Sequence, residues 1–217
     1  LPSATIGISA LAESITEPWK LAHDPATGRV ALLTRVGDAK GLRDKPDVEL
    51  SMLPDKGART SIRCTAAPCV KKPITDIQWR PASNEVLFTV TNYADGHAQS
   101  IFLWNVVTGA VRLATSSSGL IGGGARWAPG LCGASSSALA CIASEADHPP
   151  RLERIDLETG KRHVLFNPNA VLANDMKDLA PARLLRWKDT QGRQFTGQYF
   201  PARRRGNTPP PLFVTYY

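Results

Sequence analysis

The stretch "TDIQWRPASNEVLFTVTNYADGHAQSIFLWNVVTGAVRLATS", residues 75–116, decides how the rest of the chain is read. Four runs rich in β-branched and aromatic residues, "TDIQWR", "EVLFTVTN", "QSIFLWNV" and "AVRLATS", are separated by "PASN", "ADGH" and "VTG". Such runs fit a pleated, half-buried surface, and the Pro, Asn, Asp and Gly between them supply turns. Val86, Phe88 and Val90 alternate with Leu87 and Thr89, the two-residue period of a strand. Gly109, after Thr108, supplies the positive φ that a tight hairpin needs.

The same unit recurs on both sides. A strand ending in a Pro turn appears as "KLAHDPATG", "DIQWRPASN" and "GARWAPG", which puts Pro25, Pro81 and Pro129 56 and 48 residues apart. A second marker appears as "LPDKGA", "NVVTGA" and "DLETGK", with Gly57, Gly109 and Gly160 spaced by 52 and 51. The third unit continues as "LACIAS", "RLERIDL" and "KRHVLF". A four-stranded unit of this length is the signature of a β-propeller blade. Closed propellers have roughly four to eight blades. Residues 1–180 are therefore expected to be an arc of about three blades from a larger ring, and the polypeptide to be part of a longer one. Leu1 in place of Met fits a removed leader or a start within a protein.

From residue 181 the pattern changes. After "NPNAVLANDMKDL" (167–179), a transition with at most a short helical turn, comes "RLLRWKDTQGRQFTGQYFPA", two strands joined at Thr190-Gln191-Gly192. A Pro-rich loop, "RRRGNTPPP", leads to "LFVTYY", apolar on both faces like a buried central strand.

Composition narrows the class. The 217 residues are 42% apolar with 17 Gly and 17 Pro, ordinary for a turn-rich globular chain, and no apolar run reaches membrane-span length. The net charge of +7 is scattered, and its one dense run, Arg203-Arg204-Arg205, lacks the aromatic interleaving of a nucleic-acid surface; no nucleic-acid partner is expected. Four cysteines form two close pairs, Cys64 with Cys69 and Cys132 with Cys141. Two local disulfides fit best and imply an oxidising compartment, periplasmic or secreted. Buried free thiols are the second reading. A four-thiolate zinc site is the third, since intervals of four and eight residues suit zinc knuckles poorly.

The order of blades, hairpin, Pro-rich loop and apolar strand resembles the prolyl oligopeptidase family of serine peptidases, in which a propeller precedes an α/β-hydrolase domain. The matching residues are Trp187, Asp189, Gly192, Phe195, Gly197, Pro201 and the run from Pro211 to Tyr217. Within that family, "LACIASEADHPPRLERIDLETGKRHVLFNPNAVL" (139–172) is similar to the last blade of bacterial lasso-peptide isopeptidases. Pro149, Pro150, the "NPN" exit at 167–169 and the pair Cys132 and Cys141 carry that likeness. The resemblance implies a mainly β fold in which residues 181–217 open the hydrolase domain. It implies hydrolysis of peptide or isopeptide amides, with the isopeptide link of lasso peptides as the narrower substrate and the propeller gating access. The partners implied are a peptide and the remainder of the same polypeptide, and no cofactor is implied.

Such chemistry needs Ser, His and Asp, with Ser in a G-x-S-x-G elbow. No such elbow occurs in residues 1–217, so the triad is expected outside them. By the resemblance, Tyr217 donates its hydroxyl to the oxyanion hole, or Tyr216 if the register slips by one. His23, His97, His148 and His163 lack metal-ligand spacing, and no metal site is expected. They read as turn and strand-surface residues, His148 being the candidate for substrate contact at a blade end. The insertion "GDAKGLRDKPD" (37–47) has the length to reach a substrate or a partner domain. "GLIGGGARW" leads into a strand rather than a helix, which argues against a phosphate cradle. Two rivals are kept: a non-catalytic propeller that binds protein or peptide, and a polymer-degrading enzyme using carboxylates such as Asp24, Asp76, Glu85 and Asp156.

Overall fold

Backbone groups of a buried strand are satisfied chiefly by neighbouring strands, so runs of β-branched residues favour a sheet. The computed structural model describes residues 18–36, 46–55, 57–124, 130–202 and 211–215. The first sheet contains β1 (Pro18–His23), β2 (Val30–Arg35), β3 (Val48–Leu53), β4 (Ile62–Arg63) and β5 (Val70–Lys72). The second runs β6 (Ile74–Trp79), β7 (Glu85–Asn92), β8 (Ala98–Asn105) and β9 (Val111–Ser117) in that order. The third holds β10 (Leu120–Gly122), β11 (Gly133–Ala134), β12 (Ala138–Glu145), β13 (His148–Asp156) and β14 (Arg162–Phe166). A short helix, α1 (Ala170–Met176), leads to a separate hairpin of β15 (Arg183–Lys188) and β16 (Gln194–Tyr199). Pairing is antiparallel between the strands of all four sheets. The chain is mainly β, built of propeller-like blades followed by a hairpin, as the repeat implies.

Two blades depart from a plain four-strand meander, and a disulfide sits at each departure. In the first, β4 and β5 both pair with β3, and the chain between them loops out. The Cys64–Cys69 disulfide closes that loop at its base. In the third, β10 and β11 both pair with β12, as two halves of one interrupted strand. Cys132, next to β11, is bonded to Cys141 on β12. All four cysteines are buried.

The hairpin turns share one device. Asn105 caps the β8–β9 turn by accepting from the N–H groups of Val107 and Thr108, and Asp156 does the same for Glu158 and Thr159 before β14. Gly109 (φ 75°) and Gly160 (φ 69°) then take the left-handed conformation. Gly57, their counterpart by spacing, does not; it lies in the longer β3–β4 link, where its N–H bonds Asp55. Among the described residues, the left-handed glycine of the first blade is instead Gly28 (φ 79°), between β1 and β2.

The middle blade is apolar on both faces. Val86, Phe88 and Trp104 pack with Ala31, Leu33, Val48 and Leu50 of the first blade. Leu87, Ile101 and Leu103 pack with Ile121, Leu139 and Ile155 of the third. The two-residue period thus sends alternate side chains of β7 into two different cores. Polar bridges lie along the same seams: Trp79 donates to the Ala22 carbonyl at 3.0 Å, and Arg80 to the Ser136 carbonyl at 2.7 Å.

One expectation changes at the end of the chain. Residues 211–215 make no strand pairing, and Leu212, Phe213 and Val214 are exposed, because no described strand lies beside them to complete a sheet. Residues 37–45 of the 37–47 insertion, Pro129, Arg203-Arg204-Arg205, Tyr216 and Tyr217 lie outside the described residues.

A Cβ at Gly160 would lie 2.6 Å from the Ala114 carbonyl oxygen of the neighbouring blade, whereas one at Gly109 would meet open space. Gly109→Ala should therefore cost about 1–2 kcal/mol, the price of a left-handed Ala. Gly160→Ala should cost at least about 1 kcal/mol more, since strain and a backbone clash add. Urea unfolding of both variants reads the difference, and equal losses would mean that the two blades approach less closely there.

Candidate functional site

The turns at one end of the second and third blades, together with the hairpin, enclose the site. Between β7 and β8 a single 3-10 turn (Tyr93–Asp95) is followed by Gly96 and His97, both left-handed. The rings of Tyr93 and His97 meet edge to face at 5.0 Å. Between β12 and β13 the turn is Ala146 and Asp147, with Glu145 and His148 paired at its base. The hairpin lies across both turns. Arg186 of β15 pairs with Asp95, and the N–H of Ala182 donates to Asp147 at 3.0 Å. A cleft of about 360 Å³ is left between them, lined by Asp95, Ser118, Asp147, Leu184, Arg186 and Gln198, among others.

His148 adjoins the cleft through Asp147. Its Nδ1 lies 2.7 Å from Asp147 Oδ1, and the ring is largely exposed. Burial raises the Asp147 pKa, but the hydrogen bonds from His148 and Ala182 outweigh it and hold the carboxyl below its ordinary value. Asp147 thus stays an anion, suited to orient a donor rather than to deliver a proton. Tyr216 and Tyr217 fall outside the described residues, so the geometry does not reach the oxyanion assignment.

Beneath the Asp147 turn lies a closed ring of charges. Arg151 bonds Glu145 at 2.7 Å and Glu153 at 2.6 Å, while Arg162 bonds Glu145 at 3.0 Å and Glu153 at 2.5 Å. Ser117 of the second blade donates to Glu145 at 2.7 Å, and Arg162 reaches the Ser116 carbonyl at 3.2 Å. Glu153 is only 2% exposed. Two carboxylates and two forked guanidinium groups satisfy one another, which makes such burial tolerable. The ring ties the turn bearing Asp147 to the neighbouring blade.

The carboxylates weighed for a polymer-degrading site are committed elsewhere. Asp24 pairs with Arg29 at 2.8 Å, Asp76 with Lys20 and Glu85 with Arg80, and Asp156 caps its own turn. None is left as a facing acid–base pair. Among the described residues no group of three or more His, Cys, Asp or Glu is placed to hold a metal ion. No described helix is long and apolar enough to cross a membrane.

Sequence reading singled out His148 but passed over Asp95, Asp147 and Arg186. A signal was present: "ADGH" (94–97) and "ADH" (146–148) occupy the equivalent strand link in successive blades, each placing its Asp at the cleft.

No family model and no curated protein matches the sequence. The fold is similar to that of the AtxE2 isopeptidase in two solved structures. A variant with Astexin3-dC4 bound gives a TM-score of 0.63 at 17% identity, covering 84% of this chain and 25% of that one. The apo form gives 0.62 at 16% identity, covering 91% and 27%. The chain therefore spans about a quarter of the length of these structures, and the likeness is one of fold.

The charge ring has a pH signature. Burial pushes the Glu145 pKa up, but hydrogen bonds from Arg151, Ser117 and Arg162 outweigh this and hold it below its ordinary value. A carboxylate depressed on folding contributes stability above its unfolded pKa, about 4.3, and that contribution fades as pH falls through the folded value. Glu145→Gln should cost about 3 kcal/mol at pH 7, because two largely buried guanidinium groups would then share the single carboxylate of Glu153. The gap from the parent protein should narrow below about pH 4. Denaturant titrations across pH measure it, and a pH-independent gap would contradict the assignment.

Proposed function

We propose that this chain is part of a serine peptidase of the prolyl oligopeptidase type, hydrolysing peptide or isopeptide amide bonds. Its substrate is the isopeptide-closed ring of a lasso peptide. The observation that carries this reading is the likeness of fold to an isopeptidase over most of the chain. The β15–β16 hairpin supports it, because it follows the blades without repeating their pattern. Residues 1–180 act as blades that gate and dock the substrate, and residues 181–217 open the hydrolase domain. The triad lies outside residues 1–217, so the remainder of the polypeptide is the essential partner. Two buried disulfides suit an extracytoplasmic setting, periplasmic or secreted.

In this reading the chemistry is acyl transfer. A serine attacks the amide carbonyl, a histidine takes the serine proton and returns it to the leaving amine, and water then releases the acyl group. Tyr217 contributes a hydroxyl to the developing oxyanion, with Tyr216 in that place if the register shifts. His148 and the cleft above Asp147 contact the peptide at the blade ends.

The test is to incubate the complete protein with a threaded lasso peptide and follow its mass. The expected product gains one water and loses its ring. A peptide that binds and stays closed would favour the non-catalytic binding module instead. Tyr217→Phe should lower kcat about 10²- to 10³-fold with little change in KM, as loss of one oxyanion donor does. An unchanged kcat would remove Tyr217 from the mechanism.

A further inference from the structure

A two-stranded hairpin alone is marginal in water, so the stability of β15–β16 depends on what it docks against. Its two faces differ sharply. Leu185, Trp187 and Phe195 point outward and are about half exposed, with Trp187 and Phe195 stacked at 6.0 Å between ring centroids. Leu184, Arg186 and Gln198 line the cleft on the blade side. The contacts that tie this inner face to the blades concentrate on two turns.

At the β7–β8 turn, Arg186 pairs with Asp95 and also reaches the Ala94 carbonyl at 3.4 Å. Gly96 lies directly beneath Leu184: a Cβ there would stand 2.9 Å from Leu184 Cδ1. The missing side chain lets the strand settle onto the turn. At the β12–β13 turn, Asp147 accepts the Ala182 N–H just before β15 begins. Asn92 steadies Asp95 from its own blade at 2.6 Å, and His148 steadies Asp147. Each aspartate is thus held by its turn and offers its other oxygen to the hairpin.

We propose that Asp95 and Asp147 form a paired latch, built from the equivalent turn of two successive blades. The latch holds the hairpin over the cleft, and the hairpin releases as a unit when it opens. Asp147 fixes the root of β15 and Asp95 fixes its middle, so the two clasps bear on one strand at points a few residues apart. Opening widens the cleft without unpacking the blades, because the blade cores do not include hairpin residues. The latch stands on this geometry and does not depend on the chain being a peptidase.

Hydrogen exchange of the full chain tests it. Asp95→Ala and Asp147→Ala should each speed exchange of the hairpin amides (183–199) by about 3- to 5-fold, the scale of a partly exposed polar pair. The double variant should speed it by about 10-fold or more, since separate clasps on one element add in free energy. Amides of β6 to β9, β12 and β13 should keep their parent rates, which also shows that the variants fold. Exchanging the charges, Asp95→Arg with Arg186→Asp, should restore protection lost in either single change. Unchanged hairpin rates would overturn the latch. So would acceleration spread evenly over the second and third blades, which marks general destabilisation. Failure of the swap to restore protection would overturn the Asp95 clasp. A protein inert towards peptides but showing this pattern would refute the proposed function and leave the latch standing.

Discussion

The structure depends on one constraint: β7 and β8 must bury side chains on both faces at once. Most strands of antiparallel sheets keep one face for water, and alternate apolar and polar residues accordingly. In "EVLFTVTN" every side chain from Val86 to Thr91 is apolar or small polar, and Val86, Leu87, Phe88 and Thr89 are all buried. Such a strand cannot sit at the edge of an arc. It needs a sheet on each side, and the first and third blades provide them. The stacked pair Phe88 and Phe102, 5.4 Å apart, fills the seam on the side of the first blade.

Once the middle blade is fixed, the charged groups at the seams fall into place. Arg29 reaches from the first blade over the Trp79 ring at 4.4 Å and donates to Asn84 at 2.7 Å. Arg80 and Arg112 reach towards the third blade, where both meet Glu158 and Arg112 donates to the Leu157 carbonyl. Arginine suits these positions because its planar fork can serve two acceptors while its stem lies on apolar surface. The four-membered ring under the Asp147 turn includes the buried carboxylate of Glu153. It links the rigidity of the seam to the turn that faces the cleft, so packing and site geometry are one problem.

The sequence carried the local part of this account and little of the long-range part. Strands, their order and the change of pattern at residue 181 follow from two-residue alternation and turn residues, which act over a few positions. The disulfides were legible because each closes a short interval. The interruptions at 64–69 and 123–132 were not, since both outer pieces of a split strand look like ordinary short strands until their shared partner is known. Gly57 misled for a related reason: spacing identifies the link between two strands but not its length or backbone form. The Arg151–Glu145–Arg162–Glu153 ring depends on the β12–β13 and β13–β14 registers, which no local pattern specifies. The repeated Ala-Asp turn was visible, but its meaning emerged only when Arg186 and Ala182 were found against it. The run 211–215 shows the opposite limit: residues with every attribute of a buried strand form none without neighbours.

The most direct measurement is labelling of the complete gene product with a fluorophosphonate probe, followed by peptide mapping. A serine peptidase of the proposed kind takes up one probe molecule, on a serine outside residues 1–217, and takes up none when it is unfolded before treatment. A folded, complete protein that takes up no probe would contradict the account and leave the blades as a binding surface.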